Sequence, residues 1–168
     1  MVETLVAISI LLLVVVGPMT TAQKGIKNAY FANEQVTAVF LAQEAIEAVR
    51  AVRDVRALLV YGNPAGDTAG WAQGLGCTSG CAYIRDTNTF GPCVENNSCR
   101  LEVGTTGAYD HDVIGGIDSP FTRVVTVGNA VAGGVPVTVV VSWNSNLSGP
   151  KSVTLQTWVY DHYQRFES

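Results

Sequence analysis

The sequence predicts an α+β chain in which a long N-terminal α-helix packs on a C-terminal antiparallel β-sheet, with a disulfide-bearing loop region between them. Three observations carry this. Apolar residues recur at helical spacing up to about residue 60. Three runs beyond residue 120 are rich in β-branched and aromatic residues. All four cysteines lie in one Gly-, Thr- and Asn-rich stretch between these parts. Four segments are expected: 1–22, a hydrophobic assembly or transmembrane helix segment with a Gly-Pro break; 23–60, an amphipathic helix; 61–120, loops with short strands and disulfides; and 121–168, the sheet.

The first segment opens MVETLVAISILLLVVVGP. Glu3 is the one acid before an uncharged run from Leu5 to Val16, which Gly17-Pro18 ends. A cleaved signal peptide would carry a basic start, whereas no Lys or Arg precedes Lys24. A bilayer span needs about 20 residues, reached here only by extending through Ala22 across Gly, Pro and polar residues. A core helix that is apolar all round needs walls on every side, which the rest of this chain is too small to provide. The remaining solution is that other copies of the chain form the walls. Glu3 then pairs with an α-amino group on a neighbouring copy and sets the axial register, because a carboxylate among apolar helices is costly unless paired. Leu5, Ile8, Leu12 and Val16 supply the packing surface. Pro18 lacks an N–H and its ring crowds the carbonyl of Val14. The backbone over 14–21 is therefore expected to melt in the packed state, with a simple kink as the alternative.

In 23–60 the apolar positions Ile26, Ala29, Val36, Val39, Phe40, Ile46, Val49 and Val52 fall mostly three, four or seven apart. Glu47–Arg50 and Arg50–Asp54 are spaced to pair along one face. Such pairs contribute only about 0.2–0.5 kcal/mol each, so the apolar stripe must hold the helix. Sixty residues of helix would reach roughly 85–90 Å. Tyr61-Gly62-Asn63-Pro64 marks the stop.

The segment 61–120 offers two short strand candidates, 82–85 and 101–103. It also holds Cys77, Cys81, Cys93 and Cys99. An even count after a hydrophobic N-terminus points to disulfides in an oxidising compartment. Four cysteines allow three pairings. The spacings CTSGC and CVENNSC favour Cys77–Cys81 and Cys93–Cys99 without settling it. The competing reading is a zinc site, although zinc ribbons use tighter knuckles.

The sheet is expected from 121–127 (FTRVVTV), 135–143 (VPVTVVVSW) and 153–160 (VTLQTWVY), as three or four strands with one face on the helix. The last strand alternates, with Val153, Leu155, Thr157 and Val159 on one face and Thr154, Gln156, Trp158 and Tyr160 on the other.

Charge excludes some functions. The segment up to residue 60 carries five basic and five acidic residues, so the net charge of −4 belongs to the remainder. Such a surface does not gather nucleic acid, and direct nucleic-acid binding is not expected. No P-loop, GxGxxG, nucleophile elbow or HExxH occurs, so neither catalysis, a cofactor, a metal nor a small-molecule substrate is expected. Asp110, His111 and Asp112 are adjacent and read as a solvated loop, and His162 as a surface residue. Asn96 and Asn146 sit in glycosylation sequons, with the unmodified state as the default. Trp71, Trp143 and Trp158 read as packing residues.

The segment VETLVAISILLLVVVGP resembles the N-terminal signature of type IV pilins and pseudopilins, and LAQEAIEAVRAVRD and SVTLQTWVYDH look similar to bacterial pilin-type sequences. The family's mature chains begin two residues before the position of Met1, often with an N-methylated Phe followed by Thr, after a short basic leader ending in Gly. Neither stretch is in this sequence, so the sequence names neither the amine partner of Glu3 nor a leader cleavage site. The resemblance implies the type IV pilin fold and a homo-polymeric extracellular pilus filament (fimbrium) drawn from an inner-membrane pool. It implies pilus assembly machinery and prepilin peptidase as partners, and adhesion, motility or uptake as the filament's use. A type II secretion pseudopilin or a minor pilin is the alternative within the family. A monomeric membrane-anchored extracytoplasmic binding protein is the alternative outside it.

Overall fold

The computed structural model describes residues 2–62, 72, 75–93, 99–111, 113–131, 134–145 and 149–160. Helix α1 (Val2–Gly62) runs 61 residues, about 90 Å at 1.5 Å per residue. It ends at Gly62, where the Gly-Asn-Pro signal foretold it. The break expected at Gly17-Pro18 is not present in the single chain: the helix continues with Pro18 inside it. Pro18 removes one backbone donor, and the turns on either side keep the helical path. The hydroxyls of Thr20 and Thr21 both donate to the Gly17 carbonyl, at 2.8 and 3.2 Å.

Seven strands follow: β1 (Cys77–Ile84), β2 (Thr89–Gly91), β3 (Arg100–Val103), β4 (Tyr109–Asp110), β5 (Ile117–Val127), β6 (Gly134–Ser145) and β7 (Gly149–Tyr160). They form one antiparallel sheet. β6 pairs with β7 along its whole length and with β5 from Phe121↔Trp143 to Val127↔Val137. The other edge of β5 is shared. β1 takes its C-terminal end (Cys77↔Val127, Cys81↔Val125) and β3 its N-terminal end (Arg100↔Thr122, Val103↔Ile117). β2 lies outside β1 and β4 outside β3. The sheet thus exceeds the expected three or four strands. The addition comes from the segment read as loops, which also delivers Leu75, Tyr83 and Leu101 to the core.

One sheet face buries Phe121, Val125, Val127, Val137, Val139, Val141 and Val159 against α1. β7 alternates as expected, with Val153, Leu155 and Val159 inward and Thr154, Gln156 and Trp158 exposed. The buried face of α1 keeps Ile46, Val49 and Val52 of the expected stripe and differs from it elsewhere. It consists of Ala38, Leu41, Ala42, Ala45, Ile46, Ala48, Val49, Val52 and Ala57. Ile26, Ala29, Val36 and Phe40 are exposed. Alanines between Leu41, Ile46, Val49 and Val52 let the helix approach the valine-rich sheet closely, and Ile26, Val36 and Phe40 point elsewhere.

Polar contacts fix the axial position of α1. Lys151 Nζ lies 5.8 Å from the centre of the Phe31 ring, and Trp143 Nε1 donates to Glu34 Oε2 at 3.1 Å. Arg123 reaches Glu44 (2.9 Å), and Arg53 donates to the Tyr160 carbonyl (3.1 Å). β7 and β5 therefore run in the same direction as α1. The Glu47–Arg50 pair forms at 2.6 Å, whereas Asp54 pairs with Arg53 rather than Arg50.

The disulfides are Cys77–Cys81 and Cys93–Cys99, the local pairing the spacings favoured. Oxidised sulfurs offer no thiolates, which removes the zinc alternative. Gly80 sits inside the first loop at φ +93°, where a Cβ would stand 2.9 Å from Val124 Cγ1.

Candidate functional site

The N-terminal half of α1 leaves the sheet altogether. Every residue from Val2 to Tyr30 is exposed, a projection of about 43 Å at the helical rise. Leu5, Ile8, Leu12 and Val16 are 66, 55, 60 and 56% exposed, close to the level of a lone helix. The structure thus brings the predicted packing residues onto one bare rod with Glu3, Gly17 and Pro18. Glu3 stands in the first turn, where a carboxylate favours the positive end of the helix. It has no ion-pair partner among the described residues. The polar side chains inside the apolar stretch serve themselves. Ser9 Oγ donates to the Leu5 carbonyl at 2.8 Å, as the two threonines do to Gly17. Hydroxyls satisfied this way need no water. The helix is long and apolar enough to cross a bilayer.

The head contains a second polar constellation, which the sequence reading missed. Arg123 points inward from β5 with its side chain fully buried. Its Nη1 donates to Glu44 Oε2 at 2.9 Å and to the Leu41 carbonyl at 3.4 Å, and Nη2 reaches the Tyr83 carbonyl at 3.5 Å. The guanidinium lies 5.6 Å from the centre of the Tyr83 ring. Arg85 meets the other oxygen of the same carboxylate. Burial pushes Arg123 below its ordinary pKa, against the opposing pull of Glu44. Burial, the largest single cause, acts to lower Arg85, but the hydrogen bond and charge of Glu44 together with the charges of Asp110 and Tyr83 outweigh it, and the net shift is upward. Tyr83 is raised by burial and then by the Glu44 charge. The signal was present: alternation in FTRVVTV puts Arg123 on the face of Phe121, Val125 and Val127.

Asp110 and His111 are buried rather than solvated. Asp110 Oδ1 accepts from the backbone N–H groups of Arg85 (3.2 Å) and His111 (2.8 Å). His111 Nδ1 lies 3.0 Å from the Arg100 carbonyl, which calls for Nδ1–H, and Nε2 is buried without a partner among the described residues. Burial, then the charge of Arg123, lowers the His111 pKa. The Arg100 carbonyl and Asp110 oppose this. No group of three His, Cys, Asp or Glu able to hold a metal occurs among the described residues.

Trp143 packs as expected, but Trp158 lies half-exposed on the outer face, 6.3 Å from the Tyr160 ring. Trp71, Asn96, Asp112, Asn146 and His162 lie outside the described residues. An open groove of about 450 Å³ between α1 and β7 is lined by Gln43, Ile46, Glu47, Arg50, Leu155, Gln156 and Thr157. It holds no nucleophile beside a base and does not enclose a ligand.

A long apolar N-terminal helix packed on an antiparallel sheet is compatible with a pilin-like fold. No protein-family model, curated protein or solved structure matches the chain.

Proposed function

We propose that this chain is a structural subunit that polymerises through its N-terminal helix into an extracellular filament of the type IV pilus kind. One observation supports it above the others: residues 2–30 project as a bare helix, apolar up to about residue 22, that the chain itself leaves uncovered. Burying twelve or more large apolar side chains at ~1.5–3 kcal/mol each gives a gross term of tens of kcal/mol. Association entropy and extraction from the bilayer reduce it. In this reading Leu5, Ile8, Leu12 and Val16 pack against several neighbours, and Glu3 pairs with the N-terminal amine of an adjacent subunit. Gly17-Pro18 is where the packed helix melts, because one backbone bond is already absent there. Before assembly the chain waits in the inner membrane, where prepilin peptidase and the assembly machinery act on it. The head faces outward and serves adhesion, motility or uptake without catalysis.

A second reading, a membrane-anchored monomer, is favoured by the helix's capacity to cross a bilayer. Glu3→Ala separates the two. In a filament subunit it abolishes sheared filaments while the chain stays in the membrane fraction. In a monomeric anchor, no filaments are sheared even from the unaltered chain. Abundant sheared filaments of this chain would identify a major subunit, as opposed to a minor pilin or a pseudopilin. Purified wild-type material that remains as isolated molecules would overturn the proposal.

A further inference from the structure

The loop between β4 and β5 carries an apolar knob. Ile114 is fully exposed and Ile117 is 75% exposed. The knob is held outward by a tight turn, in which the Gly116 N–H donates to the Val113 carbonyl at 2.8 Å and Gly115 takes φ +74°. A Cβ on Gly116 would stand 2.8 Å from Glu102 Oε2 and 2.9 Å from Val113 Cβ, so the turn has no room to refold around a larger residue. Among the described residues the neighbouring acids are engaged: Asp118 pairs with Arg100 at 2.8 Å, and Glu102 accepts from the Val113 N–H at 2.9 Å.

The position of this knob along the molecule follows from the contacts of α1. Phe121 pairs with Trp143, and Trp143 bonds to Glu34, so Phe121 lies level with Glu34. Arg123, further along β5, lies at Glu44, so strand and helix advance together. Ile117 is four residues before Phe121, about 13 Å toward the N-terminal end of α1 at 3.3 Å per residue. The same distance covers about nine residues of helix, which brings Ile117 level with residues near 25. Lys24 and Lys27 stand there, the first cations after the apolar rod and three apart on one side of the helix. The knob therefore sits at the base of the head, in the plane where the apolar segment gives way to lysines.

We infer that Ile114 and Ile117 insert into the interfacial layer of a phospholipid bilayer while Lys24 and Lys27 meet lipid phosphates, seating the head on the membrane before assembly. This rests on the membrane-pool part of the proposed function. Continuity with the helix that enters the bilayer and the charge match of the lysines to phosphate select lipid over a second copy. A basic residue close to an anionic surface adds attraction, and the apolar knob adds insertion depth.

The test uses the full chain in phosphatidylethanolamine–phosphatidylglycerol vesicles, with one nitroxide label per variant. All four native cysteines are in disulfides, so each introduced cysteine is the sole thiol. Labels go on Leu12→Cys, Ile114→Cys, Ile117→Cys and Val131→Cys. Val131 is exposed at the opposite end of β5. Collision with a water-soluble nickel chelate should be several-fold lower at 114 and 117 than at 131, with collision with oxygen correspondingly higher. Equal chelate access at 114, 117 and 131 with Leu12 in lipid overturns this inference and leaves the membrane pool intact. Chelate access at Leu12 as well overturns the membrane pool itself. Spin–spin broadening at 114, with both colliders excluded, would assign the knob to a second copy and also overturn the inference.

Discussion

Glu44→Ala is the most informative perturbation of the head, because it strips the main partner from a guanidinium that water does not reach. The Arg123 side chain is 0% exposed and that of Glu44 is 30% exposed. Removing one partner of a fully buried pair costs about 3–5 kcal/mol, since the remaining charge is left uncompensated. Glu44 is partly screened by solvent, which discounts the loss to about 2–4 kcal/mol. Arg85 loses its carboxylate too but is half-exposed and rehydrates, so it adds little. Arg123→Met acts in the opposite sense. It removes the buried charge, fills similar space and leaves Glu44 paired with Arg85, and such replacements are often neutral or stabilising.

The two changes combine to decide the matter. If the cost of Glu44→Ala is an orphaned charge, the double variant Glu44→Ala/Arg123→Met is more stable than Glu44→Ala alone. Thermal unfolding of the full chain in mild detergent, followed by near-ultraviolet circular dichroism, reads this directly. A loss of 2–4 kcal/mol lowers Tm by about 5–15 °C in a protein of this size. Strict additivity of the two substitutions, or a double variant below Glu44→Ala, would refute the reasoning.

His111 predicts an acid-sensitive head. Its folded pKa lies below the ordinary value near 6.5. Between those two values the unfolded chain binds more protons than the folded one, so stability rises with pH. The contribution is complete above about pH 6.5 and is lost as pH falls below it; His111→Gln should flatten the Tm profile between about pH 7 and pH 5 relative to wild type. The disulfides close short loops, with sequence separations of 4 and 6. Loop-closure entropy assigns each about 2 kcal/mol, so Cys77→Ser/Cys81→Ser and Cys93→Ser/Cys99→Ser should lower urea midpoints by similar amounts, and a several-fold difference would count against the entropic account. Pro18→Ala should restore the bond to Val14 and slow amide exchange at residues 19–21 in micelles, while exchange at Ala45–Val49 stays unchanged; equal exchange rates at 19–21 in the two chains would mean the proline is not the weak point.

Much of the architecture could be read from period and composition. The alternation of β7 set Val159 and Trp158 on opposite faces, as the strand has them, and the spacing of the cysteines favoured the pairing observed. What escaped did so for physical reasons. The large apolar residues at helical spacing account for only part of the helix face, Ile46, Val49 and Val52, because the sheet also takes small ones, Ala38, Ala42, Ala45 and Ala48. Strands of two or three residues such as β2 and β4 carry no period of their own and form only because β1 and β3 offer edges. Arg123 was passed over because composition favours a solvated arginine, although its position in the alternation placed it inside. Asp110 and His111 looked like a loop, because burial there depends on partners distant in sequence, Arg85 and Arg100.

The two halves of α1 obey different rules. Beyond residue 31 the helix is held by the sheet. Before it, residues 2–30 are all exposed, and the sequence is a poor helix former in water. Val2, Val6, Ile8, Ile10 and the run Val14-Val15-Val16 are β-branched and lose side-chain freedom in a helix. Gly17 and Pro18 cost about 1 and 3 kcal/mol relative to alanine. A solvent that offers the backbone no hydrogen bonds reverses this balance, since every amide must then be satisfied within the helix. Ser9, Thr20 and Thr21 already meet that condition by bonding to their own backbone. A stretch so unsuited to water and so complete without it belongs in an apolar medium, whether lipid tails or the flanks of its own copies. Outside residues 14–21, passage between the two media costs little backbone hydrogen bonding, because neither competes for the amides. That passage is the step a filament drawn from a membrane requires.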